Sequence, residues 1–259
     1  MKRCFSGVMA TLLLAVACQT EKIDPSMGYG TLDVTLAGEP SVEVEVKSQQ
    51  LSASEAASYN ISIFDKNDVN KYGPVKYSAF EAQVLPMGTY YVTAESCTET
   101  EAENGNGKKR FAGKSADITL TTSAISQTAE VECAVTNALV SVAFDASVSG
   151  MFTDLKVVLS GGTTSGRKVT VAETAAGVKT EVWFNPSSLT YTISGTFKPS
   201  GKVLTLTGTS RTLAAKDNIS LLVKLNLENG EITASPTILV DVTMKQEVPV
   251  EEEFNPYEK

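Results

Sequence analysis

The chain has 259 residues, a formal net charge of −8, 42% hydrophobic residues and no histidine. An acidic body repels nucleic acid and anionic lipid headgroups, so nucleic-acid binding is excluded and the charge serves solubility. Without histidine there is no Ser-His-Asp or Cys-His catalysis, and the commonest zinc ligand is missing.

The N-terminus reads MKRCFSGVMATLLLAVACQT. Lys2 and Arg3 supply a basic start, residues 8–16 an apolar run, and Ala15 and Ala17 small side chains just ahead of Cys18. This is a signal-peptide layout, too short to span a bilayer. A cysteine directly after the cleavage site marks the lipoprotein variant, although Ala15 stands where leucine is commonest. Residues 1–17 are therefore expected to be removed and Cys18 to carry the lipid, whose acyl chains hold the protein on a membrane. Residues 18–28, opening CQTEKIDPSM, read as a polar tether.

Beyond the tether, period-2 alternation dominates and predicts strands. Leu32, Val34 and Leu36 alternate, as do Val42, Val44 and Val46, then Tyr59, Ile61 and Ile63. SQQLSASEAAS, between the second and third sets, is the one passable short helix of this half. In LPMGTYYVTAES, Pro86 and Gly88 make a turn and a strand starts at Thr89. TETEAENGNGKKR reads as a flexible polar loop, rich in Asn and Gly. Ile118 and Leu120 precede the turn SAISQ and the long run AEVECAVTNALVSVAFD, whose pattern breaks at Thr136 and Asn137. A new alternation follows through Val140, Val142 and Phe144, then Leu155, Val157 and Leu159. GGTTSG turns the chain into Val169 and Val171, and EVWFNP, LTYTISGTF, VLTLTGTS, ISLLVKLNL and PTILVDVTM complete the series.

Short strands with turns at such intervals predict an all-β chain of two tandem antiparallel β-sandwich domains, immunoglobulin-like or prealbumin-like. The expected domains are residues 29–136 and 137–245. Residues 246–259 form an acidic tail, read as solvated, though Val248 and Val250 could extend an edge strand.

Cys4 leaves with the signal, so Cys97 and Cys133 remain in an oxidising compartment where a disulfide persists. Strand parity turns Cys133 inward beside Val131 and Val135, whereas Cys97 falls opposite the apolar set Tyr90, Val92 and Ala94. Two readings stay open. Either a strand end or bulge re-aims Cys97 into a Cys97–Cys133 disulfide, or Cys133 is a buried small hydrophobe.

The ordered segments GTLDVTL, LPMGTYYVTAES, RFAGKSADITL, AEVECAVTNALVSVAFD and WFNPSSLTYTISGTF run through most of the mature chain. Together they resemble a family of Bacteroidales lipoproteins built on a domain of unknown function. LPMGTYYVT also resembles the prealbumin-type sandwich of carboxypeptidase regulatory domains, and the two-domain plan resembles fimbrillins, the pilus subunits of the same bacterial group. The resemblance implies tandem sandwiches in the cell envelope with a role in adhesion or glycan handling, and brings no catalytic residues with it.

The sequence carries no catalytic or cofactor-binding motif. There is no GxGxxG or P-loop motif and no CxxC pair. DKNDVN has Asp65 and Asn67 at calcium-loop spacing, but Val69 takes a ligand position and Asn70 the place of the loop glycine. Glycosidases need two carboxylates held at a set distance, and nothing singles out a pair. No cofactor or metal is expected. For sugar stacking the candidates are Trp183, Phe184, Tyr191 and Tyr91. Phe184 shares parity with Val182 and is assigned to the core, which turns Trp183 outward, and one of Tyr90 and Tyr91 also points out. Trp183 and Tyr91 are thus the expected ligand contacts, set against the plainer reading that Trp183 fills a core gap or covers a sheet edge.

These features lead to three readings of function. The first is a binding or adhesion lipoprotein of the outer membrane, at the cell surface or on the periplasmic face, recognising a glycan or surface protein. Loops such as TETEAENGNGKK would make contact. The second is a fimbrial anchor or accessory subunit. In fimbrillins a trypsin-like protease cuts after an arginine in the first strands, yet here no arginine lies between Arg3 and Arg110, and Lys47 is the nearest stand-in. The third, an enzyme of polysaccharide breakdown, lacks the residues. The sequence is silent on oligomeric state.

Overall fold

The structure, a computed structural model of the chain, describes residues 28–38, 56–225, 238–244 and 250–252. The signal peptide, Cys18, the alternation of Val42, Val44 and Val46, and most of the helix expected in SQQLSASEAAS lie outside the described residues.

The alternating segments form strands. The first eight are β1 (Tyr29–Gly38), β2 (Asn60–Asp65), β3 (Asn70–Lys76), β4 (Gln83–Pro86), β5 (Gly88–Glu95), β6 (Phe111–Lys114), β7 (Ile118–Leu120) and β8 (Ser126–Val135). They make one sheet in the order β3-β2-β5-β6-β8-β1-β4, with β7 beside β5. Its inward side chains, among them Leu32, Ile61, Ile63, Val92, Val131 and Cys133, form one core.

The remaining strands are β9 (Ala138–Phe144), β10 (Phe152–Ser160), β11 (Lys168–Ala172), β12 (Thr180–Phe184), β13 (Ser188–Phe197), β14 (Lys202–Thr207), β15 (Arg211–Thr212), β16 (Asn218–Leu225), β17 (Ile238–Met244) and β18 (Val250–Glu252). They build two sheets, β11-β10-β13-β14 with β15 beside β13, and β12-β9-β16-β17-β18. Val140, Val142 and Phe144 of one share a core with Val157, Leu159 and Ile193 of the other, which is a β-sandwich. Burying each such side chain contributes about 2 kcal/mol, so a charge placed at Val142 or Ile193 would break this half.

Two strand pairs correct the antiparallel expectation. β1 runs parallel to β8, from Thr31↔Ser126 to Gly38↔Cys133. β9 runs parallel to β16, from Leu139↔Asn218 to Phe144↔Val223. Side chains alternate identically in both arrangements, and a parallel pair needs only a crossover longer than a hairpin, so alternation cannot report strand direction. The tail differs from its solvated reading as well: Val250 pairs with Val242, adding β18 to the open edge of β17.

The break at Thr136 and Asn137 is pinned rather than loose. Asn137 is fully buried. Its Oδ1 accepts the Arg110 N–H at 3.0 Å and its Nδ2 donates to the Lys108 carbonyl at 2.7 Å. Arg110 in turn donates to the Cys97 carbonyl, the Thr136 hydroxyl and the Glu95 carboxylate.

Candidate functional site

The segment expected to be a flexible contact loop is instead an anchor. It starts as a one-turn helix, α1 (Glu99–Ala102), closed by a capping box in which Thr98 accepts the Glu101 N–H and Glu101 accepts the Thr98 N–H. The box satisfies orphan donors of the first turn and aims the next residue, Glu103, into the other half.

Glu103 is buried at 4% exposure. Its carboxylate accepts the backbone N–H groups of Thr163 at 3.0 Å, Thr164 at 2.9 Å and Asn185 at 2.9 Å, and the Arg167 guanidinium stands 4.0 Å away. A buried charge persists only when it is paired and hydrogen-bonded in this way. Burial alone would raise its pKa, but the hydrogen bonds from Thr164, Asn185 and Thr163 outweigh it, and the net displacement is below the ordinary value. With these donors around its oxygens, Glu103 is positioned as a clamp and not as a base or nucleophile.

Arg167 completes the clamp. It donates to the carbonyls of Trp183 at 2.9 Å and Gly105 at 3.1 Å, and lies 4.3 Å above the Phe184 ring. The Trp183 N–H donates to the Asn106 carbonyl at 2.8 Å. Gly107 makes this approach possible: its φ is +77°, and a Cβ there would lie 2.6 Å from the Trp183 carbonyl oxygen. The Asn- and Gly-rich composition of the loop therefore serves close backbone docking.

Of the aromatic candidates, Phe184 and Tyr191 are core residues at 0% and 2% exposure. Trp183 is half-buried on the outward side of β12. Tyr91, expected as an exposed contact, is covered. Phe64 stacks on its ring with centroids 5.3 Å apart, the Lys114 ammonium lies 3.5 Å from its centroid, and its hydroxyl donates to Asp68 at 2.7 Å. Phe64 comes from β2 and Lys114 from β6, which flank β5 on opposite sides, so neither ring face is free for a sugar. Tyr91 and Trp183 also sit in different sheets. Cys97 and Cys133 are both buried free thiols, so the possible disulfide is not formed. Cys133 faces the Ala94 carbonyl at 3.9 Å, whereas Cys97 lies beyond the end of β5, where strand parity no longer applies. Among the described residues, no group of three or more Cys, Asp or Glu is placed to hold a metal ion.

These sheets and the clamp between them define a tandem β-sandwich protein whose buried polar groups join its two halves. The chain belongs to the family designated domain of unknown function DUF4493, whose model matches residues 28–256. No curated protein matches the chain in sequence. A candidate adhesin from Bacteroides ovatus shares the fold, with a TM-score of 0.52 and 11% identity over 89% of this chain and 97% of that one. The fimbrial anchor protein Mfa2 from Porphyromonas gingivalis aligns with a TM-score of 0.47 and 13% identity, over 87% of this chain and 100% of that one. A candidate polysaccharide-binding protein from Bacteroides thetaiotaomicron aligns with a TM-score of 0.46 and 12% identity, over 84% and 99%.

Proposed function

We propose that the protein is a non-catalytic adhesion module of the bacterial cell envelope, held on the outer membrane by a lipid on Cys18 and recognising a glycan or a surface protein. The observation that carries this reading is the order along the chain. A lipoprotein-type signal over residues 1–17 precedes Cys18, a polar tether follows, and the strands begin at Tyr29, one residue inside the family match over 28–256. The fold shared with a candidate adhesin supports it. So does the use of buried charge: Glu103, Arg110 and Arg167 are engaged in joining elements, which suits a body that transmits load from an anchor.

The fimbrial anchor or accessory role is the second reading, favoured by β1. This first strand lies inside its sheet, between β8 and β4, as in a subunit that keeps its own strand.

The test is protease shaving of intact cells carrying a C-terminally tagged protein, with a Cys18→Ala strain as control and binding of the cells to glycan-coated surfaces measured in parallel. Loss of the tag from intact wild-type cells, together with Cys18-dependent adhesion, is expected. Protection of the tag until the outer membrane is broken would sink the adhesion reading. Ladders of the tagged protein in unboiled samples would move the second reading ahead of the first.

A further inference from the structure

The turn that follows Glu103 reads Asn104-Gly105-Asn106-Gly107, the same dipeptide twice. Asparagine is a thermolabile residue, and it is most so before glycine, which has no Cβ to hinder attack of its backbone nitrogen on the asparagine side chain. That attack needs three things. The glycine nitrogen must be free of hydrogen bonds, the asparagine side chain must be free to swing over it, and the backbone must have room for the ring that forms.

The fold gives the two pairs opposite surroundings. Asn104 and Gly105 are exposed, and nothing lies within 4 Å of the place a Cβ would take on Gly105. Among the described residues, neither the Gly105 N–H nor the Asn104 side chain has a hydrogen-bond partner. Two positions on, the attacking nitrogen would be that of Gly107, and it is engaged: its N–H donates to the Asn104 carbonyl at 2.9 Å. The Asn106 carbonyl accepts the Trp183 N–H at 2.8 Å and the Lys108 N–H donates to the Ala102 carbonyl at 2.9 Å, so the backbone on both sides of this pair is held. A Cβ on Gly107 would meet the carbonyl oxygens of Trp183 and Ala102 at 2.6 and 2.7 Å, which leaves no room for a ring.

We propose that Asn104 is a site of spontaneous deamidation that loosens the Glu103 clamp, and that Asn106 is protected by the turn in which it lies. The Gly105 nitrogen gives its proton to solvent base and attacks Asn104 Cγ. The N–Cγ bond forms, the Cγ–Nδ2 bond breaks, and ammonia leaves with a proton returned by solvent. Water then adds across one of the two C–N bonds of the five-membered imide. Opening at Cγ leaves aspartate. Opening at the main-chain carbonyl leaves isoaspartate, whose backbone runs through the side chain and is one methylene longer. Water is the only co-reactant, and no electrons are exchanged.

That methylene enters inside the clamp. Asn104 lies between Glu103, which holds the N–H groups of Thr163, Thr164 and Asn185, and Gly105, whose carbonyl accepts Arg167 at 3.1 Å. The Asn104 carbonyl itself holds Gly107 in its turn. A backbone lengthened at this point cannot keep all three sets of contacts in register. The joint between the two halves therefore weakens as the molecule ages, whatever the protein binds.

The full chain in detergent would be aged for days in mildly alkaline buffer and digested at mildly acidic pH. Mass spectrometry with fragmentation that separates aspartate from isoaspartate would then map the products. Trypsin cuts after Lys76 and Lys108, so one peptide carries both pairs, and Asn229-Gly230 falls in another. A gain of about 1 Da at Asn104, with isoaspartate among the products, is expected. In the folded chain it should run at least about tenfold faster than at Asn106, where the Gly107 hydrogen bond must open first. In denaturant the two rates should converge. Equal native rates, a faster Asn106 or an intact Asn104 would overturn the site. The loosening is read on the deamidated fraction, separated by its added negative charge. Its urea midpoint should fall below that of fresh protein. Fresh Asn104→Asp, which adds the charge without the methylene, should keep the midpoint. So should aged Asn104→Gln, whose longer side chain closes a ring far more slowly. An unchanged midpoint in the isoaspartate fraction, or an equal drop in Asn104→Asp, would overturn the effect on the clamp.

Discussion

The Glu103 carboxylate accepts the backbone N–H of Asn185 at 2.9 Å across 82 positions of sequence. Thr163 and Thr164 donate to the same carboxylate from another turn. One side chain thus closes a contact between a loop of the first half and two segments of the second. Removing it strands three backbone donors and the Arg167 charge. Glu103→Ala is expected to destabilise the protein by about 3–5 kcal/mol, and Glu103→Gln by less because its amide oxygen still accepts. Urea unfolding of the purified variants reads this directly; a change under about 0.5 kcal/mol in Glu103→Ala would show that the clamp adds nothing.

The same carboxylate sets a pH dependence. Its folded pKa lies below the ordinary value because the hydrogen bonds outweigh burial. A carboxyl of this kind stabilises the fold above its unfolded pKa of about 4.3, and that contribution is lost as pH falls through the lower folded value. Thermal melts from about pH 6 to pH 3 should therefore show wild type losing more stability on acidification than Glu103→Gln. Parallel curves for the two proteins would assign acid sensitivity to other groups.

Burial pushes the Cys133 thiol up to about 11. Reactivity belongs to the thiolate, so Cys133 should be inert to iodoacetamide at about pH 8 in the folded protein. Cys97 is also buried and free. In a form lacking residues 1–18, mass spectrometry should find both thiols unmodified before unfolding and both modified in denaturant. Modification of Cys133 under native conditions would contradict its place in the core.

Gly107 holds the loop against Trp183 at a φ of +77°. Gly107→Ala adds a Cβ to a left-handed position and drives it toward the carbonyl oxygens of Trp183 and Ala102. A cost of about 1–3 kcal/mol is expected, with a red shift of Trp183 emission as the indole surroundings open. Gly105, at a φ of +59° with open space around it, is the control: Gly105→Ala should cost less and leave the emission unchanged.

Some of this was legible in the residues. Alternation placed Val182 and Phe184 inward and Trp183 outward, and β12 has that pattern. The capping box also stood in plain view, as Thr98 with Glu101 three positions on, and it marks the helix start that turns Glu103 inward. The burial of Glu103 had no local signal, because its partners lie 60 to 82 positions away in turns that resemble any Ser/Thr-rich loop. The covering of Tyr91 was equally hidden: Phe64 and Lys114 meet it only because β2 and β6 flank β5.

By itself the sequence determined most of the long strands, such as β9, β10 and β13, and which side of each is apolar, since a period of two is a property of consecutive residues; β3, with no alternating burial, left no such signal. It also determined that histidine chemistry is absent. Only the tertiary structure decided that β1 and β9 pair in parallel with β8 and β16, and that a loop rich in Asn and Gly is an anchor. Each of those depends on which distant segment lies alongside. That choice is made by the packing of whole sheets and leaves no trace in the spacing of neighbouring residues.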